Sequence, residues 1–256
     1  MTEARFSGER LHEGDARFAL DLARHRAAYE YARSRSAAGR FLDLGCGSGH
    51  GAALLGGADA TLIGVDRVAP DLASRRSQAR FVRADLRALP FRPACFDTIV
   101  SFQVIEHLED PSEYLDAIAR LLAPGGLAML TTPNVRMSDG VNPYHVHEYD
   151  ARELEARLRA RFADVEVRGV GMRDAVREVM AARSRRIRRI LRLDPLRLRE
   201  RLPAPLVRAL FARCAVLVRL AARRPAGAPA FSWRDFPVGP ACDDCLDLLA
   251  LCRNPR

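Results

Sequence analysis

An α/β fold on a mostly parallel sheet is what this chain predicts, from three observations. Short apolar runs of strand character, at 41–45, 61–66, 79–84, 96–102 and 126–132, alternate with helical or turn segments long enough for right-handed crossovers. A glycine-rich turn follows the first run in FLDLGCGSGHG, Phe41 to Gly51. Acidic residues stand at the ends of the next two, Asp66 closing TLIGVD and Asp85 just after the third. Sheets of this kind bind ligands beyond the carboxyl ends of their strands, where strand order reverses, and each candidate site residue stands at such an end.

In the first run three apolar residues flank Asp43, which predicts a buried strand. Glycines at 45, 47, 49 and 51 then precede the apolar AALL, predicting a tight turn into a helix. Residues without a Cβ can take positive φ there and let a ligand approach the backbone, with the free N–H groups of the helix facing the same spot. Asp66 follows Asp43 by 23 residues. A carboxylate at the end of the second strand suits a ribose, because it accepts hydrogen bonds from vicinal hydroxyls. Asp43, two residues before the first glycine, would repel a pyrophosphate and points to a cationic or amine-bearing ligand.

With these residues in place, the sequence resembles the class I S-adenosylmethionine-dependent methyltransferases, whose first motif is an acidic residue followed by GxGxG. Asp85-Leu86, FDTIVSFQVIEHLEDP and LLAPGGLAMLTTPN follow in register, so the resemblance covers residues 40–134. It implies a Rossmann-like seven-stranded sheet of order 3-2-1-4-5-7-6 with an antiparallel last strand, and S-adenosyl-L-methionine as cofactor. The implied cofactor-binding residues are Asp43, Leu44, Gly45, Cys46, Gly47, Gly49, Asp66, Arg67, Asp85, Leu86 and Gln103. In such enzymes Asp85 would accept from the adenine amino group while the Leu86 N–H meets a ring nitrogen. Asp85 could also cap a short helix, LRALP. Gln103 would touch the methionine part of the cofactor. Asp97, at the start of its strand, reads as a structural cap. The fourth strand ends in Ser101-Phe102-Gln103, without the aspartate of metal-dependent catechol-type relatives, so no metal is expected.

His107 is the first candidate general base, since an imidazole of pKa about 6.5 can take a proton as a methyl group arrives. It could equally hold the loop by bonding a backbone carbonyl. A helix beginning at Pro111 is expected to stop at Pro124-Gly125-Gly126. After the fifth strand comes the long loop TTPNVRMSDGVNPYHVHEYD, and long loops at this edge carry function. A bacterial subgroup of the resembling family typically shows Asn-Pro-Phe/Tyr-His-x-x-Glu-Tyr here. Asn142, Pro143, Tyr144, His145, Glu148 and Tyr149 match it, which favours His145 over His147 as a catalytic or substrate-binding residue. The same subgroup begins with Thr/Ser-Gly-Glu-Arg and a His-x-x-Arg-Tyr-x-Phe-Ala helix. Ser7-Gly8-Glu9-Arg10 matches, as do His25, Tyr29, Tyr31 and Ala32 on the helix expected over 18–35, but Ala28 replaces the arginine. If that arginine anchors the cofactor carboxylate, Arg24 or Arg26 must substitute or the contact is absent.

A helix is expected at 151–163, a sixth strand at 165–171 and a seventh at 245–253. The chain therefore divides into an N-terminal segment and capping helix (1–39), a cofactor-binding domain (40–171 with 245–256) and a basic helical insertion (172–244). All 41 basic residues are arginine, and 16 of them, against 4 acidic residues, lie between Met172 and Pro225. Apolar residues at 176, 179, 180, 187, 190 and 191 form one helical stripe, and Leu206, Leu210, Cys214, Leu217 and Ala221 a second. A lid over the acceptor pocket is the favoured reading, and lid packing or membrane-surface contact fits that pattern better than a phosphate groove. The partner expected is a small-molecule or glycan-type acceptor with a hydroxyl or amine to methylate. Nucleic acid is disfavoured, because the Asn/Asp-Pro-Pro-Tyr/Phe and Pro-Cys motifs of base-modifying enzymes are missing. A cofactor-binding regulator without turnover is the alternative from another class. The N-terminus lacks a signal-peptide layout, so a cytoplasmic protein is the default. The six cysteines, including the Cys242-x-x-Cys245 pair, are accordingly expected as thiols.

Overall fold

The computed structural model describes residues 18–36, 38–55, 60–70, 78–192, 202–203, 206–207, 211 and 230–256. The Ser7–Arg10 motif and most of the second insertion stripe lie outside the described residues. The elements are α1 (Ala19–Arg35), β1 (Gly39–Leu44), β2 (Ala60–Asp66), β3 (Arg80–Arg83), β4 (Phe96–Phe102), α2 (Ser112–Leu121), β5 (Leu122–Pro133), α3 (Ala151–Arg159), β6 (Phe162–Val170), α4 (Asp174–Leu191), β7 (Val238–Pro240) and β8 (Asp247–Pro255). One mixed sheet runs β3-β2-β1-β4-β5-β8-β6-β7. The first five strands in that order pair in parallel, and β8 pairs antiparallel to both β5 and β6. The order expected from the family resemblance is thus present. An eighth, three-residue strand joins the edge, β7 pairing with Arg168, Gly169 and Val170.

Strand periodicity divides the core in two. Leu248, Ala250 and Cys252 face one cluster with the apolar sides of α2 and α3 (Leu115, Ile118, Leu154, Leu158). Leu249 and Leu251 face the other with α1 and the start of α4 (Ala23, Ala27, Ala32, Val176). The alanines of α1 let that helix lie close to the sheet. Each fully buried leucine or isoleucine contributes about 1.5–3 kcal/mol relative to an exposed position. Asp97 at the foot of β4 accepts from the Arg40 backbone N–H at 2.8 Å and pairs with its guanidinium, a structural role as the sequence suggested.

Two expectations about local structure fail. α2 does not stop at the Pro-Gly-Gly; it ends at Leu121 and runs directly into β5. Pro124-Gly125-Gly126 lies inside β5, where the β4–β5 register shifts between Phe96 and Thr98, and Gly125 takes φ 74°. A bulge absorbs the turn signal. The segment after the glycine-rich turn is only a 3-10 turn, Ala52–Leu54. Gly56 and Gly57, which follow closely in the sequence, are poor helix formers.

Candidate active site

Beyond Leu44 the backbone folds over the end of β2. Gly45 and Cys46 donate to Val65 O at 2.8 and 3.0 Å, while the Asp66 carboxylate accepts from Gly47 N and Val68 N, both at 2.9 Å. Gly45 must be glycine: its φ is 83°, and a Cβ there would lie 2.4 Å from Val104 Cγ2. Gly47, at φ 56°, is different, because nothing lies within 4 Å of the Cβ it lacks. That open space belongs to a cavity of about 1410 Å³.

The cavity gathers most of the sequence-predicted residues. Gly45, Cys46, Gly47, Asp66, Arg67, Asp85, Leu86 and Gln103 line one side, and His107 and His145 line the other. Asp85 does not cap a helix. It holds a turn by accepting from Arg87 N at 3.0 Å, and the Arg87 guanidinium beside it holds its carboxyl well below the usual carboxylate range. Gln103, one residue past β4, sits at φ 58°, a left-handed conformation rare outside glycine. Its N–H donates to Thr131 O at 3.0 Å, and its side-chain amide reaches Thr131 Oγ1 at 3.3 Å.

Asp43, Leu44 and Gly49 do not line the cavity. Asp43 is fully buried beneath the turn, where the Tyr29 hydroxyl donates to it at 3.2 Å. Asp43 thus lies beneath the turn and not on the cavity wall. Burial, with the nearby Asp66 charge, pushes its carboxyl up to about 7, against the pull of the Tyr29 hydrogen bond. The Tyr29 ring also explains Gly51, whose added Cβ would fall 1.9 Å from the ring.

Residues of α1 and their partners also build the cavity wall. Arg24 on α1 lies in the lining and pairs with buried Asp247 of β8 at 3.4 Å. Of the two arginines offered as substitutes for the missing one, only Arg24 faces the cavity, since Arg26 is exposed and pairs with Glu30. Asp21 on α1 pairs with Arg183 on α4 at 3.4 Å, joining helices 162 residues apart. His25 is lined up beside His50, with ring centroids 6.0 Å apart. Burial, reinforced by Arg24 and His50, lowers the His25 imidazole to about 3, so it is neutral at ordinary pH.

The far wall is built by the loop after β5. Its Val146 and His147 N–H groups donate to the Glu106 carbonyl at 2.7 and 3.2 Å, which brings His145 to His107. The two imidazoles meet edge to face, with centroids 5.1 Å apart. His107 Nδ1 contacts Tyr144 O at 2.9 Å, and His145 Nδ1 contacts Glu148 Oε1 at 2.5 Å. His147 turns away to Glu153 at 2.7 Å and lies outside the lining. Met180, Arg183, Ile187 and Ile190 of α4 complete this wall. Asn134 anchors the loop by donating to the carbonyls of Cys242, Asp243 and Cys245. That turn is closed by a Cys242–Cys245 disulfide, where thiols were expected. The sequence spacing was read without the turn that brings the two sulfurs together.

A family model described as a methyltransferase domain matches residues 13–167. The chain belongs to this methyltransferase family. A relative in Mycolicibacterium smegmatis, named a probable S-adenosylmethionine-dependent methyltransferase, is 36% identical over 170 residues, covering 62% of this chain and 65% of its own. The ubiquinone biosynthesis O-methyltransferase of Dinoroseobacter shibae is 32% identical over 127 residues, covering 45% of this chain and 51% of its own. The matched part thus spans between half and two thirds of these methyltransferases. Among solved structures, an S-adenosylmethionine-dependent methyltransferase of Thermotoga maritima superposes with TM-score 0.55 at 14% identity, over 92% of this chain and 91% of that one. The [4+2]-cyclase SpnF does so with TM-score 0.56 at 18% identity, over 94% and 85%. That a methyltransferase and a cyclase fit comparably well makes these likenesses evidence of fold alone. Among the described residues, no helix is long and apolar enough to cross a membrane.

Proposed function

We propose that the chain transfers a methyl group from S-adenosyl-L-methionine to a hydroxyl, or an amine, of a small-molecule or glycan-type acceptor. One observation carries the reading: a single cavity has a backbone cradle and strand-end carboxylates on one side and a histidine pair on the other. The cradle suits the cofactor, because Gly47 leaves open space where any other residue would project a side chain. Asp66 sits at the end of β2 as a ribose acceptor. Its two oxygens accept the backbone N–H groups of Gly47 and Val68, which fixes the carboxylate at the rim of the turn. Asp85, kept ionised by Arg87, is the acceptor for an adenine amino group, and the Leu86 N–H stands next to it. Gln103 and Arg24 face the amino-acid end.

When bound, the cofactor supplies an electrophilic methyl group on a sulfonium that is its own leaving group. What remains for the protein is to align the acceptor, exclude water and remove the acceptor's proton. The histidine pair marks where that proton is lost. The names of the ubiquinone O-methyltransferase relatives support a hydroxyl acceptor. Met180, Ile187 and Ile190 give its chamber an apolar wall, which supports α4 as part of a lid formed by residues 172–244. The same helix turns Arg185, Arg186, Arg188 and Arg189 outward, and contact of this face with an anionic membrane surface is the second partner proposed.

Titration calorimetry with S-adenosylhomocysteine tests the reading. The native chain should bind it, and Asp66→Ala should bind at least about tenfold more weakly, a loss of roughly 1.4 kcal/mol. Equal affinities would remove Asp66 from the site and the reading with it.

A further inference from the structure

The acceptor end of the cavity holds a third chemistry-bearing group beside the two histidines. One carboxylate oxygen of Glu106 and one ring nitrogen each of His107 and His145 lie within 4.8 Å of one another. Glu106 is fully buried, and all three residues line the cavity. The residues come from two places, the turn after β4 and the loop after β5, locked together by Val146 N and His147 N on Glu106 O. Backbone hydrogen bonds therefore bring the three residues together.

The surroundings of the two rings point the same way. Each has its Nδ1 against an oxygen, Tyr144 O for His107 and Glu148 Oε1 for His145. An Nδ1–H donated to such an oxygen leaves the lone pair of the neutral ring on Nε2 and fixes the ring plane. Histidines that ligate metals are oriented in this way, by a carbonyl or carboxylate on the other nitrogen. Two imidazoles and a carboxylate form a donor set suited to a first-row transition ion, and one that leaves coordination positions open.

We infer that Glu106, His107 and His145 hold one divalent transition-metal ion, of the zinc type, at the acceptor end of the cavity. Ligands at about 2.1 Å in tetrahedral array stand roughly 3.4 Å apart, so the three atoms draw together by up to about 1.4 Å on binding. This inference rests on the methyl-transfer reading for its role. An acceptor hydroxyl entering the open position becomes a ligand, and its O–H bond breaks with the proton passing to water. The oxygen's electron pair then forms the bond to the methyl carbon as the carbon–sulfur pair returns to sulfur, leaving a neutral thioether. The two imidazoles act by ligation and take no proton themselves, which deepens the account of how the acceptor's proton is lost.

The test is titration of the metal-stripped full chain with zinc by calorimetry, and with cobalt(II) by visible absorption. The native chain should bind one ion, His107→Gln and Glu106→Gln should bind at least about tenfold more weakly, and the cobalt form should show d–d bands without a thiolate charge-transfer band. Unchanged affinity in His107→Gln, or a thiolate band that marks cysteine ligands instead, overturns the site. His107 is exposed, so its variant folds even where Glu106→Gln does not, and its metal affinity then decides alone. S-adenosylhomocysteine binding on the same samples separates the two readings. Cofactor uptake without metal uptake sinks the metal site alone, and metal uptake without cofactor uptake sinks methyl transfer alone.

Discussion

The two ends of the cavity are built on different principles. At the proposed cofactor end most of the wall comes from the tips of neighbouring parallel strands, with Arg24 of α1 added, and much of it is held by backbone: Gly45 and Cys46 on Val65 O, and Gly47 on Asp66. At the acceptor end the wall is a loop, a 3-10 turn and α4, elements far apart in sequence; the loop and the turn meet through Glu106 O, and α4 is tied to α1 by the Asp21–Arg183 pair. The first end is as rigid as the sheet that carries it. The second can be rebuilt without touching the sheet, and a fold that hosts a methyltransferase and a cyclase alike needs such a division.

Breaking the acceptor end should leave the cofactor end intact. His145→Ala should lower turnover by about 100-fold or more, the usual worth of a group that manages a proton or its acceptor, while S-adenosylhomocysteine affinity stays within about twofold. Steady-state rates and calorimetry on one preparation check both halves, and turnover within twofold of native would make His145 a loop brace only. The reverse experiment is Gly45→Ala. A Cβ 2.4 Å from Val104 Cγ2 and a positive φ should cost about 1–3 kcal/mol of stability and weaken the cofactor as well, read by denaturant melts with and without ligand. An unchanged melt would mean that the turn relaxes freely and the rigidity ascribed to this end is misplaced.

The same contrast explains what the sequence could disclose. A glycine-rich turn and strand-end acids are local patterns, so Gly45, Gly47, Asp66, Asp85 and Gln103 were legible together with the sheet that aligns them. Asp43 was legible as a residue but not in its position, because its burial depends on Tyr29 arriving from α1. Glu106 could not be singled out as the loop's anchor, since it anchors through its carbonyl, which every residue has. Arg24 and Asp247 are 223 positions apart, and no spacing rule joins them. β7 is three residues containing a glycine and a proline, too short and too poor in strand formers to be read. The bulge at Gly125 kept a genuine turn signal but placed it inside a strand.

A test by pH comes from below the cofactor end, at Asp43. Its carboxyl is raised to about 7 chiefly by burial, whereas in the unfolded chain it titrates near 3.8. Between those values the folded chain keeps a proton that the unfolded chain has released, so the group's contribution to stability is full below about pH 4 and is lost as pH rises through about 7. Asp43→Asn fixes the neutral, hydrogen-bonding form. It should therefore flatten that part of the stability profile, leaving the variant level with the native chain near pH 4 and more stable above pH 7. Asp247, also raised by burial, titrates in both proteins and cancels in the comparison. Denaturant midpoints at pH 4, 5.5, 7 and 8 give the answer. A constant difference across that range would mean that Asp43 is already ionised at pH 4 under the turn, with the Tyr29 hydroxyl offsetting its burial.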